Sequence, residues 1–206
     1  MNVRALLIWL LMAVPALAQG FAGLGTSAEG FAVPQRGTPL VFPRDHGGEP
    51  VYEFNDAAQA RRIHFTDRER AAIADAAAVV ISCFPFDDQP QTAELAEALA
   101  ESAAIVAIDP NPRGGMLHDR GEFIAGFEAL APDAALLKVG DDDAALLYGT
   151  SLDELRERLI ALGTPVVVAT RGADGATLDA EGRTVSAPIS RLPGPVIDTM
   201  GAGDAT

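Results

Sequence analysis

The sequence predicts an α/β domain with a mainly parallel β-sheet. Three observations carry this. Four continuous apolar runs, at 78–82, 105–108, 135–138 and 165–169, are short enough for buried strands. The gaps between them carry helical patterns, so strands and helices alternate. Polar or glycine-rich segments follow the last three runs directly, where ligands gather in such sheets.

Composition agrees. The chain has 206 residues, of which 49% are apolar and 21% charged, enough for a real core in one large domain or two small ones. Fifteen Lys and Arg against 29 Asp and Glu leave a net charge of -14, which repels phosphate backbones. The arginines at 61, 62, 68 and 70 are interleaved with Asp67 and Glu69, so no basic patch offsets this, and nucleic acid is not an expected partner. One cysteine, Cys83, makes neither an internal disulfide nor a multi-cysteine zinc site. Ending a buried run, it reads as a small core hydrophobe. His46, His64 and His118 show no metal spacing.

Residues 1–18 read in two ways. Arg4, an apolar stretch from Ala5 to Ala18 and the A-L-A at 16–18 have the form of a secretory signal peptide. The same stretch also reads as a buried helix of a cytoplasmic domain. It is too short for a membrane span, and no membrane partner is expected.

Residues 19–37 are rich in Gly, Ala, Ser and Pro and read as loop. The runs at 39–42 and 51–54 form a hairpin around a turn-rich link. Thr66 and Glu69 have capping-box spacing, so a helix runs from there through Ala76. Helices are expected at 91–102, with Leu95 and Leu99 on one face, and at 121–130, stopped by Pro132. Another spans 141–148 and stops at Gly149, and a last one spans 151–162, capped by Ser151 with Glu154 and ended by Gly163. A second hairpin turns at Glu181 and Gly182 between runs at 176–178 and 183–187.

The C-terminal segment carries chemistry. Gly201, Ala202 and Gly203 allow a sharp turn whose amides point at an anion if a helix starts there. Asp204 is a poor phosphate ligand but a sensible general base on a hydroxyl that attacks a phosphoryl group. The four residues also read as a glycine turn with a capping aspartate. Gly23 and Gly25 form no dinucleotide fingerprint, since no glycine follows three residues later.

D-T-M-G-A-G-D at 198–204 resembles the signature of the PfkB, or ribokinase-like, carbohydrate kinases. D-P-N-P-R at 109–113 resembles a segment of their fructokinase and 2-keto-3-deoxygluconate kinase branch. Lys138 with the acidic run and L-L-Y-G at 146–149, and T-R-G-A-D-G at 170–175, resemble two further family segments in family order. The match covers about residues 37–206.

The resemblance implies a ribokinase-like three-layer α/β/α fold with a small β lid, to which residues 37–56 would belong. It implies a cytoplasmic kinase using ATP, Mg²⁺ and a monovalent cation such as K⁺, acting on a hydroxyl of a small sugar or sugar acid. A fructose-like sugar or a keto-deoxy acid is the implied substrate, and the family lid often mediates homodimers. Asp204 would be the base, and Gly201, Ala202 and Gly203 the anion hole. Thr170, Gly172 and Gly175 would line the ATP side. Asn111 and Arg113 would face the sugar or phosphate side. Asp143 would help order Mg²⁺, and Asp198 would sit near the monovalent cation.

The chain departs from the pattern in places. Gly140 stands where the family has Ser or Asn, and Asp143 where it has Glu, one methylene longer. The family's opening strand and Gly-Gly loop find no counterpart, while residues 1–6 resemble the helix that follows them. The chain stops two residues past Asp204. The expectation is a single but incomplete kinase domain spanning 1–206. A non-catalytic binding module of the same fold, and a secreted binding protein, are the rival readings.

Overall fold

The computed structural model describes residues 5–9, 41–45 and 50–54 as strand backbone, and residues 59, 60 and 62–190 in full. In chain order the strands are β1 (Ala5–Trp9), β2 (Val41–Asp45), β3 (Pro50–Phe54), β4 (Ala78–Ser82), β5 (Ile105–Asp109), β6 (Leu136–Gly140), β7 (Val166–Thr170), β8 (Ala176–Ala180) and β9 (Arg183–Ala187). The helices are α1 (Asp67–Ala74), α2 (Gln89–Ala100), α3 (Arg120–Leu130), α4 (Asp141–Asp143) and α5 (Leu152–Ala161). α4 runs directly into a π-helical turn, Ala144–Tyr148.

Among the described residues seven strands form one sheet in the order β1-β4-β5-β6-β7-β8-β9. Pairing is parallel from β1 to β7 and antiparallel across β7, β8 and β9. β2 and β3 form a separate antiparallel pair, the expected hairpin, with β2 continuing to Asp45 and β3 beginning at Pro50. Crossovers from β4 through β7 all step in one direction. Right-handed connections therefore put α2, α3 and α5 on one face of the sheet.

The caps explain where the helices begin. At α1 the Glu69 carboxylate accepts the Thr66 N–H at 3.1 Å and the Thr66 hydroxyl as well. At α2 the cap is Asp88, accepting the Gln91 N–H at 3.0 Å, with Pro90 in the first turn, so this helix starts two residues before the expected Gln91. Ser151 and Glu154 form the expected reciprocal box at α5, with bonds of 2.8 and 3.3 Å. The β8–β9 turn holds Glu181 and Gly182 at φ 52° and 70°, the left-handed pair that a two-residue hairpin needs.

The core lies between the sheet and the helices. Val79, Ile81, Ile108, Leu137, Val139, Val167 and Ala169 alternate inward from the strands and meet Ile73, Leu95, Phe127, Leu155 and Leu159. Phe86 packs edge-on against Phe84, Phe123 and Phe127 with centroids 5.1–5.7 Å apart. α3 comes so close that a Cβ on Gly126 would lie 2.3 Å from the Phe86 carbonyl oxygen.

Two expectations are corrected. Residues 5–9 form a strand, not part of a helix, pairing Ala5 with Ala78 through Trp9 with Ser82. The apolar stretch that begins at Ala5 suits either element, and pairing with β4 decides it for Ala5–Trp9. Cys83 is not a core residue. It is half-buried just beyond β4, with φ 53°. Residues 19–37 lie outside the described residues. No described helix is long and apolar enough to cross a membrane.

Candidate active site

The chemistry-bearing side chains gather at the C-terminal ends of β5, β6 and β7. Strand parity selects them. The inward positions of β6 are Leu137 and Val139, so Lys138 and Gly140 point to the opposite face. Gly140 stands beside Thr170 in the β6–β7 register. The β5–β6 register runs through Ile108 and Leu137, which brings Asp109 beside Lys138. Their side chains meet as an ion pair at 3.2 Å, with Lys138 18% and Asp109 14% exposed.

Asp143 closes this group from the first turn of α4. Its Oδ2 accepts the Gly140 N–H at 2.6 Å, and only 6% of the residue is exposed. Burial, and next the nearby Asp109 carboxylate, push its pKa up to about 7, while the Gly140 N–H and Lys138 pull the other way. Asp141 and Asp142 are exposed, as a solvated helix start expects. The Asp109–Lys138–Asp143 group thus holds two carboxylates and one ammonium in a largely dry setting.

The C-terminal end of β7 supplies the next part. The Thr170 hydroxyl donates to the Val139 carbonyl at 3.4 Å. Beyond it Arg171 leads into a short 3₁₀ turn, Gly172–Asp174, closed by Gly175. Gly175 has φ 91°, and a Cβ there would sit 2.1 Å from the Ala187 carbonyl oxygen, so the end of β9 lies directly on this turn. Thr170, Gly172 and Gly175 therefore share one loop, adjacent to Gly140.

After β5, Asn111 takes φ 37°, a left-handed conformation that asparagine tolerates. Arg113 precedes the 3₁₀ turn Gly114–Met116, which lies against β3 of the small hairpin. Asn111 and Arg113 are both half-buried. Below them the Asp87 carboxylate accepts the N–H groups of His118 at 2.7 Å and Asp119 at 3.3 Å. The His118 ring nitrogen Nε2 lies 3.3 Å from the Gln59 carbonyl oxygen. The loop after β5 is thereby tied to the loop after β4 and to Gln59.

Asp198, Gly201, Ala202, Gly203 and Asp204 lie outside the described residues. Among the described residues no group of three or more His, Cys, Asp or Glu side chains is placed to hold a metal ion. The donor set still suits one kind of ion. Magnesium keeps most of its water and takes one or two carboxylates plus phosphate oxygens. Asp143 beside Asp109 is such a pair, and a cation there would offset the repulsion that raises Asp143.

Sequence reasoning gave no role to the Asp109–Lys138 pair, to Asp87 or to Arg171. A lysine at an outward position of an otherwise apolar strand was the available signal for the first.

The chain as a whole is similar to known proteins. The chain is 29% identical over 178 residues to a fructokinase of Rhizobium leguminosarum bv. trifolii, covering 84% of this chain and 53% of the relative. It therefore spans about half the length of that curated relative. An aminoimidazole riboside kinase of Salmonella enterica, solved with aminoimidazole riboside and an ATP analogue, matches at 30% identity and TM-score 0.54 over 62% of this chain and 43% of its own. A fructokinase double mutant of Vibrio cholerae, bound to fructose, ADP and potassium ion, matches 98% of this chain and 66% of its own at TM-score 0.71 and 20% identity. The fold is the ribokinase-like α/β fold that the resemblance implied. The model of the pfkB family carbohydrate kinases matches residues 44–206, and the chain belongs to that family.

Proposed function

We propose that the protein transfers the γ-phosphoryl group of ATP to a hydroxyl of a small sugar or sugar acid, fructose-like or a keto-deoxy acid. The observation that carries the reading is the convergence of Asp109, Lys138, Asp143 and the Thr170–Gly175 segment, drawn from three family segments, at the C-terminal ends of neighbouring strands.

The roles follow from the family resemblance. Asp204 takes the proton of the acceptor hydroxyl as its oxygen attacks the γ-phosphorus. The bond from that phosphorus to the bridging β,γ-oxygen breaks, and ADP leaves with the electron pair. Backbone N–H groups of Gly201, Ala202 and Gly203 stabilise the negative charge on the transferred group. Thr170, Gly172 and Gly175 form the ATP side. Asn111 and Arg113 hold the acceptor side, under the hairpin of β2 and β3.

Asp143, with Asp109 beside it, would hold the Mg²⁺ of Mg·ATP through water, where the ion neutralises phosphate charge. Lys138 keeps Asp109 paired, so that corner carries at most one net negative charge rather than two. By the family resemblance, Asp198 would serve the monovalent-cation site.

The test is ADP release by the full-length chain with ATP, Mg²⁺ and a panel of ketoses, aldoses and keto-deoxy acids. Asp204→Asn should lower turnover by about 10²–10⁴-fold with nucleotide binding kept, the scale of a general base. Turnover unchanged in Asp204→Asn overturns the assignment. Binding of ATP by the wild type with no sugar phosphorylated points to a binding module instead.

A further inference from the structure

We infer that Arg171 is a positioning residue that fastens the glycine turn 172–175 to the body of the domain, so that a nucleotide meets the turn already formed. The inference rests on the reading of this turn as the ATP side.

The turn has little of its own to hold it. Gly172, Ala173 and Asp174 are exposed, and a Cβ on Gly172 would touch nothing within 4 Å. Arg171 supplies what is missing. Its N–H donates to the Gly175 carbonyl at 2.8 Å, and its carbonyl accepts the Asp174 N–H at 2.9 Å. Its guanidinium then forks. Nη1 donates to the Thr177 hydroxyl on β8 at 2.9 Å, and Nη2 to the Asp153 carboxylate on α5 at 2.5 Å.

The two prongs differ in weight. Asp153 is 60% exposed, and pairs of that kind contribute little in water. Thr177 is 3% exposed, and its oxygen lies 3.1 Å from the Ser186 hydroxyl on β9. A charged donor on a buried hydroxyl is the stronger anchor. One side chain therefore joins the turn to β8, and through Thr177 to the strand whose end covers Gly175.

Hydrogen exchange on the full-length chain without nucleotide tests the fastening. In Arg171→Met and in Thr177→Val, the Asp174 and Gly175 amides should exchange about tenfold faster, the scale of one hydrogen bond to a charged group. The amides of residues 166–170 should not change. Arg171→Lys should restore part of the protection, and Asp153→Asn should stay within about twofold of wild type. Kinetics test the consequence: KM for ATP rises several-fold in Arg171→Met, with KM for the sugar unmoved. Unchanged turn exchange, or equal acceleration in β7, overturns the inference. Faster turn exchange with unaltered KM for ATP overturns its nucleotide half. Faster turn exchange in a wild type that binds no ATP leaves the fastening standing and removes the kinase reading instead.

Discussion

The Asp143 carboxylate turns back on its own helix to accept the Gly140 N–H at 2.6 Å, which leaves a nearly buried acid held between a backbone amide and the Asp109–Lys138 pair. The shorter side chain that Asp has relative to Glu is spent on this cap. Burial, and next the Asp109 carboxylate, raise the pKa of the group against the pull of this contact.

Asp143 links stability to pH. Between 3.8, the ordinary value, and about 7, the folded chain keeps a proton that the unfolded chain has released. The contribution is therefore full below pH 3.8 and lost as pH rises to about 7. Asp143→Asn stays neutral, so its stability relative to wild type should rise through that window by about 1 kcal/mol per pH unit, then level off. Urea midpoints of both proteins at several pH values check this. Parallel profiles would refute the raised pKa.

Gly140 is half of a capping box. Asp143 bonds to its N–H, but glycine has no hydroxyl to return the bond to the helix. Its backbone is extended, at φ -126° and ψ 176°, which any residue adopts. A Cβ there meets Thr170 Oγ1 at an ordinary 3.4 Å. Gly140→Ser should stabilise the protein by about 0.5–1 kcal/mol, through the second cap bond and a less flexible unfolded chain. Thermal unfolding should show Tm rising by ~2 °C; a fall would mean that the site lacks room for the hydroxyl.

Gly175 and Gly172 should respond differently to alanine. At Gly175 the new carbon meets backbone at 2.1 Å and 2.8 Å, neither of which is a yielding side-chain tip. Strain and overpacking together should cost about 3 kcal/mol or more. At Gly172 space is open, and only φ 48° opposes the change, at a cost of ~1 kcal/mol. Denaturant titration of the two variants should give that order, and equal losses would count against the described turn.

Gly126→Ala sets two known effects against each other. Alanine gains about 1 kcal/mol of helix propensity over glycine. The added carbon would lie 2.3 Å from the Phe86 carbonyl oxygen, so α3 must move off the sheet. Overpacking of that kind costs about 1–3 kcal/mol and disturbs the Phe84–Phe86–Phe127 packing as well. A net loss of stability is the expected outcome, read from calorimetry.

Much of this was legible in the residues. The apolar runs became β4 to β7, and Ser151 with Glu154 and Thr66 with Glu69 marked helix starts, because caps and strand parity act over a few residues. Residues 5–9 were not legible, because the apolar stretch they open suits a helix or a strand until a partner edge exists. Cys83 was misjudged for a similar reason. Its place after β4 is local, but its left-handed backbone is imposed by the loop that leads to Phe84 and Phe86.

For the site the division is by distance along the chain. The sequence by itself determined the family segments, the acidic character of the protein and the order of its elements, since these depend on residue type and short spacing. Tertiary structure alone decided that Lys138 neutralises Asp109, 29 positions away, and that Asp143 is dry enough to hold a proton near pH 7. It likewise decided that Arg171 reaches Asp153 and Thr177 from the turn it closes. Burial and the approach of charges across strands are properties of the folded sheet, and no local pattern encodes the dielectric around a carboxylate.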